Sequence, residues 1–295
     1  MSRLEELNQR LASAGDMRSI VRVMKTLSMV SITQYQHAAR RLRTYSEVID
    51  RSLHAVMLAA PAVAETSRSL HAEAPLGLIA FGSEQGLCGR FNDIAAERVI
   101  QRVREQTSYV PLLAVGARGG QRLEALGHPP DTVLIQPASV SGLTAMAEAA
   151  LLTIDQWQSS HGIERVEIVF NVETAHGGVK AVVETLLPID QSELQRISSR
   201  PWPSRQLPTF DGAAPDTFSP LVRERLFAAL MRAGAEAMAA EHAMRLSAMQ
   251  AAEKNIAGKV TELQALYQHE RQDAITNELM DIVAAYETLA VAGND

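Results

Sequence analysis

The sequence predicts an α/β fold in which long N- and C-terminal helices form an antiparallel coiled coil with an α/β domain inserted between them. The first observation is the distribution of proline, because all twelve prolines lie between Pro61 and Pro220. Proline inside a helix removes a hydrogen bond and clashes with the preceding turn, so the two proline-free ends can form long helices. The second observation is the alternation of short apolar runs with helical patterns in the middle of the chain, which is typical of βαβ units.

The N-terminal region is predicted to form one helix over residues 3 to about 57. Its apolar residues recur mostly at intervals of three and four: Leu4, Leu7, Leu11, Ile20, Met24, Leu27 and Val30. This spacing is typical of one buried helical face or of a coiled-coil seam. Pro61 and the small residues around it are predicted to end the helix.

The middle of the chain is predicted to alternate strands and helices. The predicted strands cover residues 76–81, 111–115, 133–136, 165–172 and 179–187. The predicted helices run from a cap at Asn92 or Asp93 to about Gln106, over residues 118–126, and from a cap at Ser141 to residue 158. Strands separated by helices indicate a mainly parallel sheet, and the short segment before the last strand permits a hairpin. We therefore predict a Rossmann-like α/β domain over residues 74–190 and an irregular, proline-rich connection over 191–215.

The C-terminal region is predicted to form a second long helix over residues 221–287. At about 1.5 Å per residue, this helix would extend on the order of 100 Å. Its apolar residues again recur mostly at intervals of three and four: Ile256, Val260, Leu263, Tyr267, Ile275, Leu279 and Ile282. The N-terminal helix carries the matching stripe, and because the α/β domain is inserted between the two helices, an antiparallel pair is the simplest geometry. Residues 1–60 and 216–295 are thus predicted to form an antiparallel coiled-coil shaft.

Charge is distributed unevenly between the two ends. Residues 1–57 hold nine Lys/Arg and five Asp/Glu, a net charge of +4, whereas residues 221–295 hold seven and eleven, a net charge of −4. Opposite charges favour the pairing of the two helices. The whole chain has a net charge of −6, which lacks the basic footprint of a nucleic-acid-binding protein.

Several function classes are excluded by what the sequence lacks. The single cysteine, Cys88, rules out an intrachain disulfide and a thiolate metal cluster. No apolar run reaches the roughly 18–20 residues that span a bilayer, and the N-terminus lacks the apolar core of a signal peptide. We therefore expect a soluble chain that reaches a membrane only as a peripheral protein.

The segment FGSEQGLCGRFN is the strongest local motif, with glycines at positions 82, 86 and 89 after a predicted strand. Such a loop can bind an anion at a helix N-terminus, but its spacing is not that of a dinucleotide fingerprint, and a structural turn is favoured. Cys88 is interpreted as a small buried side chain rather than a nucleophile, because no histidine lies near it in the sequence. We predict no catalytic, cofactor-binding or metal-binding residues.

Three segments occur in the order found in a known family: RSIVRVMKTLSMVS, then SEQGLCGRFN, then RQDAITNELMDIVAA. Together they resemble the gamma subunit of F-type ATP synthases, and the order of helix, α/β domain and helix is similar from end to end. The GLCG loop and the RQ-x-x-IT-x-EL run are highly specific to that family.

The resemblance implies a central-stalk rotor subunit of a divergent bacterial form. In that family the helix pair turns inside a hexamer of alternating alpha and beta subunits, and the α/β domain lies near the epsilon subunit and the c-ring. The resemblance implies that the chain transmits torque between the membrane ion-translocating ring and the catalytic head, and so regulates ATPase activity and ion flow. It also implies a non-catalytic subunit that binds no nucleotide or cofactor itself and lies on the cytoplasmic face of the bacterial inner membrane.

The resemblance also implies residues that contact other subunits. They fall into three groups: Met24 with Lys25, Glu241 with Arg245, and Arg271 with Gln272 and Thr276. The alternative for each is a solvated helix surface, or an intrahelical pair in the case of residues 241 and 245, which are four apart. The chain departs from the family after Met24, where the stretch SITQYQHAARR lacks basic residues until Arg40.

Two other functions fit the predicted architecture. One is a free-standing α/β enzyme or ligand-binding protein that dimerises through helical arms, and it predicts activity or ligand binding by the purified chain alone. The other is a scaffold built on a long coiled coil, which leaves the inserted domain and the GLCG loop without a role.

Overall fold

The structure is a computed structural model of the chain. The described residues are 3–60, 74–175, 177–202, 204–206, 209 and 212–292, with side chains in the last helix up to residue 283. Pro61, the two extreme ends of the chain and parts of the predicted connection over 191–215 lie outside them.

The described chain consists of six α-helices, five strands and one 3-10 turn. In chain order they are α1 (Arg3–Ala59), β1 (Leu76–Phe81), α2 (Phe91–Arg104), β2 (Leu112–Val115), α3 (Ala117–Ala125), β3 (Thr132–Leu134), the 3-10 turn Val140–Gly142, α4 (Leu143–His161), β4 (Arg165–Glu173), β5 (Val179–Leu187), α5 (Gln191–Ser198) and α6 (Ala214–Ala292).

The five strands form one sheet in the order β3-β2-β1-β4-β5. The first four strands are parallel, with Ile79 of β1 opposite Leu113 of β2 and Ile168 of β4. The last strand is antiparallel to β4 and forms the predicted hairpin with it. The prediction of a mainly parallel sheet with long terminal helices is therefore confirmed.

The described chain divides into two compact units, whose limits fall inside α1 and α6. The helix-pair unit comprises residues 1–27 and 247–295, and the sheet unit comprises residues 28–246. The parts of the predicted shaft segments that adjoin the inserted domain, from residue 28 in α1 and up to residue 246 in α6, are thus grouped with the sheet. The sequence places the domain limits instead at the helix ends, near residues 60 and 216.

The sheet unit has a core on each face of its sheet. Alternate residues of β1 enter the two cores, because successive side chains of a strand point to opposite faces. Phe81 packs against α4 and α6, whereas Ala80 packs against α2 and α3. Gly234 lets α6 approach closely, since a Cβ there would lie 2.8 Å from Met146 Cε.

The helix-pair unit is antiparallel. Arg3 near the start of α1 pairs with Glu270 at 3.0 Å, and Lys25 pairs with Glu253 at 2.7 Å. In both pairs the cation comes from α1 and the anion from α6, as the opposite net charges predict. Leu7 and Leu263 are buried in this unit.

Part of the predicted apolar stripe is exposed. Leu7 and Lys25 are 18 residues apart, about five helical turns, so both lie on the paired face of α1. Ile20 and Leu27 fall on the opposite side of the helix and are 59% and 61% exposed. The prediction that they share one buried face is therefore wrong for these two residues, and Val30, in the sheet unit, is likewise exposed.

The end of α6 shows a second difference of the same kind. Leu279 and Ile282 are 58% and 65% exposed, although their spacing predicts a helix partner. The reason is the antiparallel register, because α1 begins at Arg3 and Arg3 already pairs with Glu270. Within the described helix-pair unit, α1 therefore offers these residues no packing partner.

Helix limits differ from the predictions at three places. The last helix begins at Ala214, seven residues before the predicted start, and it includes Pro220. Helix α5 occupies part of the predicted irregular connection, where it buries Leu194 and Ile197. Helix α4 begins at Leu143 without a side-chain cap, after a 3-10 turn that contains the predicted cap residue. None of the described helices has a segment long and apolar enough to cross a membrane.

Candidate functional site

The loop between β1 and α2, residues 82–90, contains the GLCG motif and lies at the carboxyl end of the parallel strands. Ser83 is fully buried at its start. The Ser83 N–H donates to Asn92 Oδ1 at 2.9 Å, and Asn92 Nδ2 donates to Ser83 Oγ at 2.8 Å. Asn92 therefore ties the loop to α2 rather than capping it, and α2 begins at Phe91 without a side-chain cap.

The glycines of this loop serve close approach and turning. A Cβ at Gly82 would lie 2.4 Å from the Cα of Gly119, so the loop and α3 can meet only without side chains there. Gly89 has φ +58°, and Leu87 adopts φ +63° without being a glycine. The N–H groups of Ser83 and Glu84 already have side-chain acceptors within the chain. These features favour a structural turn over an anion site.

Cys88 belongs to this loop, and it is only 2% exposed. Burial raises the pKa of its thiol, although the Ser83 hydroxyl opposes this shift. A thiol that stays protonated is a poor nucleophile. This environment is that of a packing residue.

Glu241 and Arg245 of α6 are also buried here, with 4% and 5% exposure. Arg245 Nη2 donates to Glu241 Oε1 at 2.5 Å, and to the carbonyl oxygens of Gln85 at 3.2 Å and Gly86 at 3.3 Å. The two residues are thus an intrahelical pair that also binds the loop. Their predicted contact with another subunit stays a prediction, and it requires side chains that this structure buries inside the chain.

Gln136 extends this arrangement to the end of β3. Its Nε2 donates to Glu241 Oε2 at 2.6 Å, and its Oε1 accepts from the Glu84 N–H at 2.6 Å. The Glu84 carboxylate in turn accepts from the Gln136 N–H at 3.2 Å and the Ala117 N–H at 3.1 Å. We call Glu84, Gln136, Glu241 and Arg245 the polar network.

Burial sets the protonation of the groups around the polar network. It raises the pKa of the Glu241 carboxyl, while Arg245 and Gln136 oppose the shift. It lowers the pKa of His242 to about 4, and Arg245 adds to this effect. His242 is therefore neutral near pH 7, and its ring stacks on Tyr35 with centroids 5.6 Å apart.

The other predicted contact residues lie in the helix-pair unit. Lys25 Nζ donates to Glu253 Oε2, and this hydrogen bond lowers the pKa of the Glu253 carboxyl. Its neighbour Met24 is half-buried. The third group is exposed on the surface of α6, where Thr276 Oγ1 donates to the Gln272 carbonyl oxygen at 2.9 Å, and its members are Arg271, Gln272 and Thr276. The structure therefore does not gather the seven predicted residues into one site.

Sequence reasoning missed Glu84 and Gln136. Both lie just beyond strand ends of the parallel sheet, Glu84 three residues after β1 and Gln136 two residues after β3. Carboxyl ends of neighbouring parallel strands meet at one edge, so polar residues at these positions were the available signal. No spacing rule links them to residues 241 and 245, because Glu241 lies 105 positions after Gln136 and 157 positions after Glu84.

Known proteins are similar to this chain along most of its length. A model of the family described as ATP synthase matches residues 3–289. The ATP synthase gamma chain of Bacteroides fragilis is 26% identical over 296 residues, covering 96% of this chain and 98% of that protein. The gamma chain of Nautilia profundicola is 25% identical, covering 98% and 99%.

Solved structures show the same fold. A chain in the OSCP/F1/c-ring structure of the Euglena gracilis mitochondrial ATP synthase superposes with a TM-score of 0.66 at 16% identity, covering 99% of this chain and 96% of that one. A chain from the central stalk and c-ring of the Tetrahymena thermophila enzyme gives a TM-score of 0.55 at 19% identity, covering 79% and 99%. From the end-to-end family match and the gamma-chain relatives, this protein belongs to the gamma-chain family of ATP synthases.

Proposed function

We propose that this chain is the central-stalk rotor subunit of an F-type ATP synthase and that it transmits torque between a membrane ion-translocating ring and an alpha/beta catalytic head. The observation that carries the proposal is the antiparallel pairing of two long terminal helices by ion pairs such as Lys25–Glu253. Opposed helices joined along their length resist bending and twisting better than one helix. The family match over residues 3–289 supports the same role.

The surface of the helix-pair unit supports enclosure by other subunits. Ile20, Val23 and Leu27 on α1 are each about 60% exposed. Leu279 and Met280 on α6 are exposed to a similar extent. Contiguous exposed apolar surface marks an interaction site, and an apolar surface can slide past a partner without breaking ion pairs. The proposed partners on this surface are the alpha and beta subunits.

The chain supplies no chemistry of its own in this proposal. It acts by coupling, because each orientation of an asymmetric rotor stabilises a different conformation at each catalytic site. We assign it an epsilon subunit and a c-ring as further partners, and the cytoplasmic face of the inner membrane as its location. Regulation of ATPase activity and ion flow follows from the same coupling.

Among the predicted contacts, Met24, Arg271, Gln272 and Thr276 are the most direct candidates for touching the head. Arg271, Gln272 and Thr276 are exposed on α6, and Met24 is half-buried on α1. Lys25 is engaged with Glu253, so it would contact a partner only by giving up or sharing that carboxylate.

Reconstitution tests the proposal. The purified chain is mixed with alpha and beta subunits from the same source, and ATP hydrolysis is measured with and without it. We expect the chain alone to be inactive and the mixture to hydrolyse ATP faster than alpha and beta without it. ATPase or other activity in the isolated chain, together with no stimulation of its matching head, would favour the free-standing enzyme instead.

A further inference from the structure

We propose that Arg245 and Glu241 form a clasp on α6 that holds the 82–90 loop closed, and that breaking the clasp lets the loop open and expose Cys88. This inference concerns the folded chain alone, so it can succeed or fail independently of the rotor function. All the residues involved lie in the sheet unit.

The clasp is defined by the carbonyl oxygens that Arg245 binds. Its guanidinium donates to Gln85 O and Gly86 O, two consecutive carbonyls at the turn of the loop. Five N–H donors in a fixed plane allow one arginine to bind both carbonyls and a carboxylate at once. A side chain of α6 therefore fixes the backbone of a loop that belongs to the sheet.

The remaining members of the polar network keep this cation in place. Glu241 neutralises Arg245, and Gln136 joins Glu241 to the Glu84 N–H inside the same loop. The loop is thus connected to α6 in two ways. Arg245 binds it directly, and Gln136 connects it to Glu241. Buried networks of this kind act as a unit, so losing one member leaves the others buried and unsatisfied.

The loop also has a reason to open when the clasp is lost. Leu87 has φ +63°, a conformation that costs a non-glycine residue energy and persists only where the surroundings impose it. The Leu87 side chain is 63% exposed, so packing of that side chain does not hold the turn. The constraint comes from the hydrogen bonds of Arg245 to the two preceding residues, together with the bond from Ser83 Oγ to Gln85 O at 2.8 Å.

Cys88 makes opening measurable. Its side chain packs with Phe91, Ala240 and Met244, and it is the only cysteine in the chain. A thiol reagent such as DTNB reaches it only when the loop or the whole unit opens. Labelling of the native full-length chain therefore reports the closed-to-open equilibrium of the loop.

The experiment compares DTNB labelling rates of the full-length chain under native conditions. We expect Arg245→Ala to speed labelling about tenfold or more, the factor expected from losing hydrogen bonds to a charged group. Loss of the Arg245 charge alone would slow the reaction, because that cation favours the thiolate. Faster labelling would therefore report opening and not a change in thiol chemistry.

Arg223→Ala is the matched control. Arg223 also lies on α6 and bonds Asp155 of α4 at 2.9 Å and 3.0 Å, but it does not touch the loop. The Arg223→Ala variant should therefore react with DTNB at the wild-type rate. Arg245→Lys keeps the charge but lacks the planar set of donors, so its rate should lie between those of wild type and Arg245→Ala.

Urea separates local opening from unfolding. Opening of one loop exposes little surface. The free energy of opening, obtained from labelling rates in low urea, should therefore depend on urea more weakly than the free energy of unfolding measured by circular dichroism. If Arg245→Ala fails to fold, the labelling rate of Arg245→Lys is compared with that of wild type instead. Equal rates in wild type and both Arg245 variants, or labelling that follows global unfolding in every variant, would overturn the clasp.

Discussion

Replacing Glu167 by alanine should destabilise the sheet unit by about 3 kcal/mol, as expected for breaking a buried ion pair. Glu167, the third residue of β4, is 3% exposed. Its carboxylate accepts from Arg102 Nε at 2.8 Å and from Arg102 Nη2 at 2.6 Å, so α2 is joined to the sheet by a bidentate pair. Alanine removes both bonds and leaves the guanidinium without this partner.

The magnitude follows from what Arg102 can recover. A hydrogen bond to a charged group contributes about 1.5–3 kcal/mol, so the two bonds to Arg102 contribute at most about 6 kcal/mol. The ion pair of Glu167 with Arg165 Nε at 3.7 Å is longer and adds less. Arg102 retains its pair with Glu105, and its side chain is 20% exposed, so water can replace part of the loss. The expected cost therefore lies near the lower end of the roughly 3–5 kcal/mol typical of broken buried pairs.

Urea unfolding monitored by tryptophan fluorescence measures this cost. Trp157 is buried in the core of the sheet unit, and a Trp202→Phe background removes the other tryptophan. At a typical urea slope of about 1–3 kcal/mol per molar, the midpoint should fall by roughly 1–3 M.

A second variant separates the ion pair from packing. Arg102→Met removes the cation while keeping much of the aliphatic stem, and the double variant with Glu167→Ala completes a mutant cycle. We expect the two changes to be strongly non-additive. A loss below about 1 kcal/mol for Glu167→Ala, or additive losses in the cycle, would refute the argument that this pair fastens α2 to the sheet.

Further expectations concern the helix pair and the pH range. Lys25→Glu should lower the melting temperature slightly by placing like charges together, and adding Glu253→Lys should restore it; both changes should be small because the pair is partly exposed. Met24→Lys should reduce coupling between ATP hydrolysis and ion pumping in the assembled enzyme while leaving thermal stability nearly unchanged; equal coupling would argue against a contact there. His242 has its folded pKa lowered from 6.5 to about 4, so the unfolded chain binds more protons between these values. Its contribution is therefore fully present above pH 6.5 and is lost as pH falls toward 4, and His242→Gln should flatten the dependence of stability on pH in that window. Truncation after Thr276 should weaken binding to the head while the circular dichroism of the sheet unit is retained; global unfolding would place this end of α6 in the core.

The alternation of strands and helices was predictable because each element has a local pattern. The apolar run of β1 and the period-two pattern of β4 appear as strands in the structure within a residue. Helix starts were harder, because Asn92 was expected to cap α2 and instead bonds to Ser83 nine residues earlier. A capping residue and a loop anchor have the same side chain, and only tertiary contacts distinguish them.

The polar network was not predictable from the sequence for a related reason. The i,i+4 spacing of Glu241 and Arg245 indicates an intrahelical pair, and this pair is present. The spacing does not reveal that the pair is buried, because burial depends on a loop more than 150 residues earlier in the chain. Ile20 shows the opposite error, because its spacing predicts a buried face and it is exposed. Apolar spacing alone does not identify which side of a helix meets the partner helix.

The unpaired end of α6 has a consequence for how the protein is made. Beyond Glu270 the helix presents Ile275, Leu279 and Ile282 to water without cover from the described part of α1. Surface of this kind promotes aggregation of a free chain, and net charge only partly offsets it. Co-expression with head subunits that cover this end should therefore raise the yield of soluble chain, and the chain studied alone should be kept dilute.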